Sequence, residues 1–120
     1  MTLEKFIEKI KHGEAASFNE TIIVITENYY YSPTEFSNGL GDDILINAAG
    51  TNEGSCKIFA FAKRHHLDQQ QTLSLFGDYY RIDVLNNPNG SDHQNIRNFM
   101  KYGWEGIHYS DEALTAKNNP

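Results

Sequence analysis

The stretch Ser55-Cys56-Lys57-Ile58-Phe59-Ala60-Phe61-Ala62 joins a small polar start to a run of apolar side chains. Its pattern predicts a helix over residues 55–65. Four of its side chains are expected to point inward, namely Ile58, Phe59, Phe61 and Ala62. The single cysteine, Cys56, then lies in the first helical turn, where backbone amides and the positive end of the helix dipole favour a thiolate.

Two further helices are predicted before this stretch. Leu3, Phe6, Ile7 and Ile10 have the i, i+3, i+4, i+7 spacing of one helical face. Ser17 and Glu20 then have the spacing of a capping box. The β-branched run over residues 21–26 could form a strand, but the cap and the periodic apolar residues up to Tyr29 favour a helix.

Three helix starts are predicted after it. Asp68 with Gln71 has the pattern of an acidic capping box, with a stop at Gly77. Asp78 is predicted to cap a helix over residues 79–86. Ser91 with Gln94 precedes a last helix that ends at Gly103.

Short strands complete the predicted fold. Asn38-Gly39 is a turn signal and residues 44–46 have β character, as do residues 107–109. We therefore predict an α+β fold that is mainly α, with five or six short helices around one core and a minor antiparallel sheet from residues 34–46 and 107–109. Residues 1–109 are predicted to form a single domain, and residues 110–120 a polar, flexible tail.

Composition excludes several classes of protein. The 120 residues hold 10 Lys and Arg against 16 Asp and Glu, a net charge of −6, which argues against binding a phosphate backbone. One cysteine permits no internal disulfide. No apolar run approaches the ~18 residues of a membrane span, and no signal-peptide pattern begins the chain. We therefore expect no nucleic-acid or membrane partner and a location in the cytoplasm.

Cys56 is the sharpest candidate for chemistry. A cysteine nucleophile needs a histidine base, for which His93, preceded by Asp92, or His108 could serve. The alternative is that Cys56 is a small buried side chain beside Ile58 and Phe59. The five histidines show no metal-binding spacing, so we predict no metal and no cofactor.

Two polar runs are candidates for a ligand site. In residues 76–83, Arg81 could hold a carboxylate or phosphate beside Asp78 and Tyr79, with Asp78 or Asp83 as a base; the alternative is an Asp78 cap with an Arg81 salt bridge. The run over residues 92–98 could line a pocket or form a structural network. The candidate ligand-binding residues are Asp78, Tyr79, Arg81, Asp92, His93 and Arg97.

These runs resemble the HopJ type III effector family of small bacterial proteins. The resemblance covers nearly the whole chain, including Phe76-Gly77-Asp78-Tyr79-Tyr80-Arg81, and is most specific in Asp83-Val84-Leu85, in residues 92–100 and in Gly103-Trp104. It implies delivery into a host cell by type III secretion and carries no catalytic residue to this chain. The leading hypothesis is therefore a non-enzymatic domain that binds a protein or small-molecule partner in the bacterial cytoplasm or, if the protein is secreted, a host target. The alternative is a cytosolic thiol-dependent hydrolase or transferase that uses Cys56 and His93.

Overall fold

The computed structural model describes residues 2–117 of the chain. Within them it contains five α-helices, one π-helix, two short 3₁₀-helices (Gly41–Asp43 and Gly103–Gly106) and five short strands. The α-helices are α1 (Leu3–Lys11), α2 (Phe18–Asn28), α3 (Glu53–Arg64), α4 (Gln69–Ser74) and α5 (Gln94–Tyr102), and the π-helix is Tyr79–Val84. The strands are β1 (Tyr29–Tyr31), β2 (Phe36–Asn38), β3 (Leu45–Asn47), β4 (Ile107–Tyr109) and β5 (Leu114–Ala116). The predicted α+β, mainly α class is confirmed.

Local capping explains why the helices begin where they do. The Ser17 hydroxyl accepts a hydrogen bond from the Glu20 amide at 3.0 Å, which confirms the predicted start of α2. At α4, Asp68 accepts from the Gln71 amide while the Gln71 side chain accepts from the Asp68 amide. This reciprocal capping box is the one that the sequence predicts.

The aromatic residue at the centre of the core is Phe59 of α3. Its ring lies 4.9 Å from Phe99 of α5, 5.4 Å from Phe76 after α4 and 6.0 Å from Phe36 of β2, measured between ring centroids. The predicted inward residues of α3 are all buried, and Cys56 is buried with them. One side chain thus joins three helical segments and a strand.

The three-stranded antiparallel sheet has the order β3-β2-β4. Phe36 pairs with Asn47 on one side and with Tyr109 on the other. Its segments lie where the sequence predicts the minor sheet. Between β2 and β3 the chain turns at Gly39, whose φ of +117° suits glycine, and an added Cβ there would lie 2.6 Å from the Asp43 carbonyl oxygen.

A second sheet corrects the prediction of a tail over residues 110–120. β5 pairs antiparallel with β1, with Tyr29 opposite Ala116 and Tyr31 opposite Leu114. Ala113 and Leu114 are buried in the core. The segment is held because β5 contacts α3 and Leu114 is buried there, whereas the polar residues of the segment taken alone suggest a tail. Residues 118–120 lie outside the described part.

Two predicted caps are also wrong. Asp78 has helical backbone angles and its side chain makes no capping hydrogen bond, and the helix that follows is a π-helix in which the Leu85 amide reaches back to the Tyr80 carbonyl. Ser91 does not cap α5. His93 occupies the N-cap position, in the left-handed region at φ 50°. The sequence identifies helix starts from side chains that can cap them. The π-helix and α5 both begin without a side-chain capping hydrogen bond, so the sequence pattern does not locate their first residues.

Within the described part of the chain, no helix has the length and apolar character needed to cross a membrane.

Replacing Phe59 by alanine is expected to lower the free energy of unfolding by about 3–5 kcal/mol, because a cavity opens among several aromatic rings. Urea denaturation followed by circular dichroism measures this change. The matched control is Ile23→Ala on the exposed side of α2, where Ile23 is 56% exposed and we expect a change within about 0.5 kcal/mol. Similar losses in the two variants would contradict the central position of Phe59.

Candidate functional site

The structure brings together several of the predicted ligand-binding residues at the π-helix and the start of α5. The rings of Tyr79 and His93 lie 5.1 Å apart between centroids, at an angle of 38°. His93 Nε2 donates a hydrogen bond to Asp83 Oδ2 at 3.0 Å, and Asp92 Oδ2 lies 4.0 Å from the same nitrogen. We call Asp78, Tyr79, Asp83, Asp92 and His93 the acidic-aromatic surface.

The π-helix places Tyr79 and Asp83 on the same side. A π-helix has slightly more than four residues per turn, so residues four apart lie one above the other. Both side chains then meet His93, which the left-handed backbone at the start of α5 turns towards them. Because a carboxylate only accepts hydrogen bonds, His93 carries its hydrogen on Nε2 in this pair.

Phe18 also packs against the Tyr79 ring in an edge-to-face arrangement, with centroids 5.0 Å apart and planes at 71°. This contact requires the chain after α4 to approach the start of α2 very closely. Gly77 permits it, since its φ is +63° and an added Cβ would lie 2.5 Å from the Phe18 nitrogen. Beside this contact, residues 17–19, 78 and 79 line a shallow recess of about 260 Å³.

Arg97 closes the loop that precedes α5. Its Nε donates to the Asp92 carbonyl oxygen at 2.5 Å, its Nη1 to the Asn87 carbonyl oxygen at 2.8 Å and its Nη2 to Asp92 Oδ1 at 2.6 Å. The guanidinium beside Asp92 lowers the pKa of that carboxyl below its usual range. Arg97 therefore lies at the surface that the sequence indicates, but its donors are already engaged within the loop.

Arg81 is directed elsewhere. Its Nη2 donates to the Ala16 carbonyl oxygen at 2.6 Å and its Nη1 to the Ser74 carbonyl oxygen at 3.4 Å. The nearest carboxylate oxygen, of Asp78, lies 3.9 Å away. The two arginines thus connect segments of the chain, and the structure does not bring them together as a clamp for a carboxylate or phosphate.

The rest of the polar run over residues 92–98 forms a buried structural network. Asn95 donates to Asn47 Oδ1 at 2.8 Å, while its own Oδ1 accepts from Asn47 and from Asn38 at 3.1 Å. Asn98 donates to the carbonyl oxygens of Asn38 and Asp43. The sequence alone does not indicate the roles of Asn38 and Asn47. The density of amides in residues 94–98 does indicate such a network as one of two possibilities.

Cys56 is separate from this surface. Its thiol is 1% exposed and lies 3.5 Å from the Thr34 carbonyl oxygen. Burial raises the pKa of the thiol, and this effect is larger than the lowering by the Tyr31 hydroxyl. Within residues 2–117, His93 forms its side-chain hydrogen bond to Asp83 and none joins it to Cys56. The structure therefore does not assemble the thiol and imidazole that a cysteine hydrolase needs.

The other histidines are dispersed. His65 lies with its Nε2 2.6 Å from the Tyr29 hydroxyl, and burial lowers the pKa of its imidazole. His108, the second candidate base, lies 3.1 Å from the Glu105 carbonyl oxygen. No group of three or more His, Cys, Asp or Glu side chains in the described residues has the arrangement of a metal site.

These features describe a small α+β domain that carries the acidic-aromatic surface. A model of the HopJ type III effector protein family matches residues 3–114 of the chain. The chain therefore belongs to the HopJ type III effector protein family.

A crystal structure described as that of "unknown function protein VPA0580" is also similar. The two chains are 47% identical, and the superposition has a TM-score of 0.91 and covers 98% of this chain and 95% of the other. No curated protein matches this chain. The comparisons give the family and the fold, and no specific activity.

Replacing Arg97 by lysine is expected to lower the free energy of unfolding by about 1–3 kcal/mol, because one ammonium cannot replace three directed donors. Urea denaturation measures the loss, and amide exchange should become faster in residues 87–93. Arg64→Lys is the control, since Arg64 is partly exposed and lies 3.8 Å from Glu112. Unchanged exchange in the loop of the Arg97→Lys variant would contradict this role.

Cys56 is expected to resist iodoacetamide in the folded protein and to react readily in urea, because the thiol is buried and its pKa is raised. The raised pKa also makes the stability of the protein depend on pH. The free energy that the neutral thiol contributes to folding is fully present below the unfolded pKa of about 8.5, and it is lost as the pH rises through the folded pKa. Mass spectrometry of labelling against pH checks this. Fast labelling at neutral pH without unfolding would contradict the prediction and support the hydrolase hypothesis.

Proposed function

We propose that the protein is a non-enzymatic binding domain whose acidic-aromatic surface holds a basic segment of a partner protein. The observation that carries the proposal is the placement of the Tyr79 ring beside carboxylates that remain accessible. Asp83 and Asp92 are 44% and 58% exposed, and Tyr79 is 43% exposed. A partner can therefore reach both the ring and the acids.

The chemistry of this surface favours a cationic group. The face of an aromatic ring attracts a guanidinium or ammonium ion, and a neighbouring carboxylate adds charge and directed hydrogen-bond acceptors. Arg97 already neutralises one oxygen of Asp92, so Asp83 and Asp78 supply most of the free negative charge. An arginine side chain could lie on Tyr79 while it donates to Asp83.

The surface is also prepared for binding before a partner arrives. Phe18 packs against the Tyr79 ring, His93 holds Asp83, and Arg97 holds the loop that carries Asp92. A surface that is already ordered loses little side-chain entropy on association, and this favours affinity. The chain's net charge of −6 adds long-range attraction for a basic partner.

The burial of Cys56, the candidate nucleophile, supports a non-enzymatic role. Cys56 is buried and hydrogen-bonded to a main-chain carbonyl, away from the acidic-aromatic surface. His93 is oriented by its hydrogen bond to the Asp83 carboxylate, and the Asp92 carboxylate lies 4.0 Å from the same nitrogen. A ring and two acids around an imidazole serve binding of a cation better than attack on a substrate.

The family's description as type III effectors supports delivery into a host cell as the setting for this binding. α1 begins at Leu3 and buries Phe6 and Ile10, so a threaded chain has to unfold there first. Fusion of the chain to a reporter that is active only in host cytoplasm tests delivery, with a secretion-deficient strain as the control. A signal that persists in that strain would exclude the type III route.

Binding is tested by titrating the ¹⁵N-labelled protein with an end-blocked peptide of alternating glycine and arginine. We expect chemical-shift changes centred on Tyr79, Asp83 and His93. Asp83→Asn and Tyr79→Leu should each weaken binding by about 2–5-fold, since each removes one exposed charge or ring contact. The asparagine retains an acceptor for His93, so the surface itself stays folded.

Two controls separate this site from general charge attraction. The same peptide with citrulline in place of arginine keeps the shape and loses the charge, and should not bind. Glu27→Gln removes one exposed carboxylate from the other end of α2, about 13 Å from Phe18 along the helix. If Glu27→Gln weakens binding as much as Asp83→Asn, or if the shifts lie on another face, the proposal fails.

A further inference from the structure

The open edge of the three-stranded sheet shows the pattern of a self-association surface. β3 lies at the end of the order β3-β2-β4, and within residues 2–117 it pairs only with β2. Strands at the edge of a sheet present unpaired main-chain groups that can pair with another strand. We propose that β3 pairs antiparallel with β3 of a second copy of this chain, about a two-fold axis at Leu45.

The exposed side chains of this edge are apolar. Ile44 is 48% exposed and Ile46 is 60% exposed, although both are large β-branched residues. Side chains two residues apart lie on the same face of a strand, so the two isoleucines form one apolar strip. Ser37 is the β2 partner of Ile46 and His108 is the β4 partner of Ser37, so the strip ends on a polar row and does not continue across the sheet.

The sequence around Leu45 is complementary to itself. In an antiparallel pair centred on Leu45, Ile44 of each copy lies opposite Ile46 of the other, which places four isoleucines in one cluster. Opposed β-branched residues are favourable cross-strand pairs. A two-fold arrangement uses this same short segment on both copies, as isologous interfaces do.

The acids near the edge lie outside the paired segment. Asp42 and Asp43 belong to the 3₁₀-helix Gly41–Asp43, which ends before β3, so neither acid faces an acid of the second copy across the paired strands. The Asp43 carboxylate also accepts from Lys101 Nζ at 2.8 Å and from the Tyr102 hydroxyl within its own copy. This neighbouring cation lowers the pKa of Asp43 and compensates its charge at the end of the strand.

Neither lysine nor proline, two residues that commonly protect a sheet edge, occurs in residues 44–47. Pairing would join two three-stranded sheets into one of six strands, a common size for a sheet. Because β3 has only three residues, the contact is smaller than a standard stable interface. The inferred dimer is therefore reversible and depends on protein concentration.

Sedimentation velocity of the whole chain from about 10 µM to about 1 mM tests the proposal, a range in which weak associations are populated. We expect monomer at the low end and a growing dimer fraction at the high end. Ile46→Lys should weaken dimerisation by at least tenfold through like-charge repulsion. Ile23→Lys, at an exposed position on α2, is the matched control and should dimerise like the natural chain.

Disulfide formation tests the register without depending on the lysine variant. Opposed residues of antiparallel strands have Cα atoms about 4.5–5.5 Å apart, within the range of a disulfide. An equal mixture of Ile44→Cys and Ile46→Cys chains should oxidise to a covalent dimer containing one of each. Each variant alone places its two cysteines at diagonal positions and should crosslink at least fivefold more slowly.

Three results would overturn the proposal. A monomer at every concentration would show that a second copy does not occupy this edge, and would leave it to a strand of another protein. A dimer that Ile46→Lys does not weaken would place the interface elsewhere. Equal crosslinking in the mixture and in the single variants would exclude the two-fold register at Leu45.

Discussion

The hydrogen bonds of the Asn95 side chain are the contacts on which the arrangement of α5 and the sheet depends. It joins α5 to both strands of the β2-β3 hairpin through hydrogen bonds to Asn38 and Asn47, and all three residues are buried. Buried amides without partners are costly, so this set of bonds permits one relative position of helix and hairpin. That position also sets where α5 begins, and therefore where His93 meets Asp83 and Tyr79. The acidic-aromatic surface is thus fixed from inside the protein.

Local sequence determines a large part of the fold. The starts of α2 and α4 follow from side chains three residues apart, and α3 follows from the apolar periodicity around Phe59, so all of them could be predicted from short segments. The pairing of β1 with β5 could not, because Tyr29 and Ala116 are far apart in the chain and neither segment has a signal of its own. Interactions over that distance depend on the core that the helices build.

The same distinction applies to the site. Sequence reasoning identified Tyr79, His93 and Asp92, since polar and aromatic residues are unusually dense in those runs. It could not show that Asp83 is the partner of His93, or that the guanidinium groups of Arg81 and Arg97 are used within the chain. It placed Cys56 in the first turn of a helix, which is where it lies, but burial raises the pKa of the thiol instead of favouring a thiolate. Burial is a property of the whole fold and is not visible in the turn itself.

The turn after β2 has a consequence for the chemical lifetime of the protein. An asparagine followed by glycine commonly deamidates when the glycine nitrogen attacks the asparagine side chain, and Asn38-Gly39 is such a pair. Here the Gly39 nitrogen donates to the Gly106 carbonyl oxygen at 3.0 Å, and the Asn38 amide nitrogen donates to Asn95. Both reacting groups are held in other bonds at a fully buried position. The packing that orders the hairpin therefore also protects it from deamidation, whereas the exposed pair Asn89-Gly90 lacks this burial.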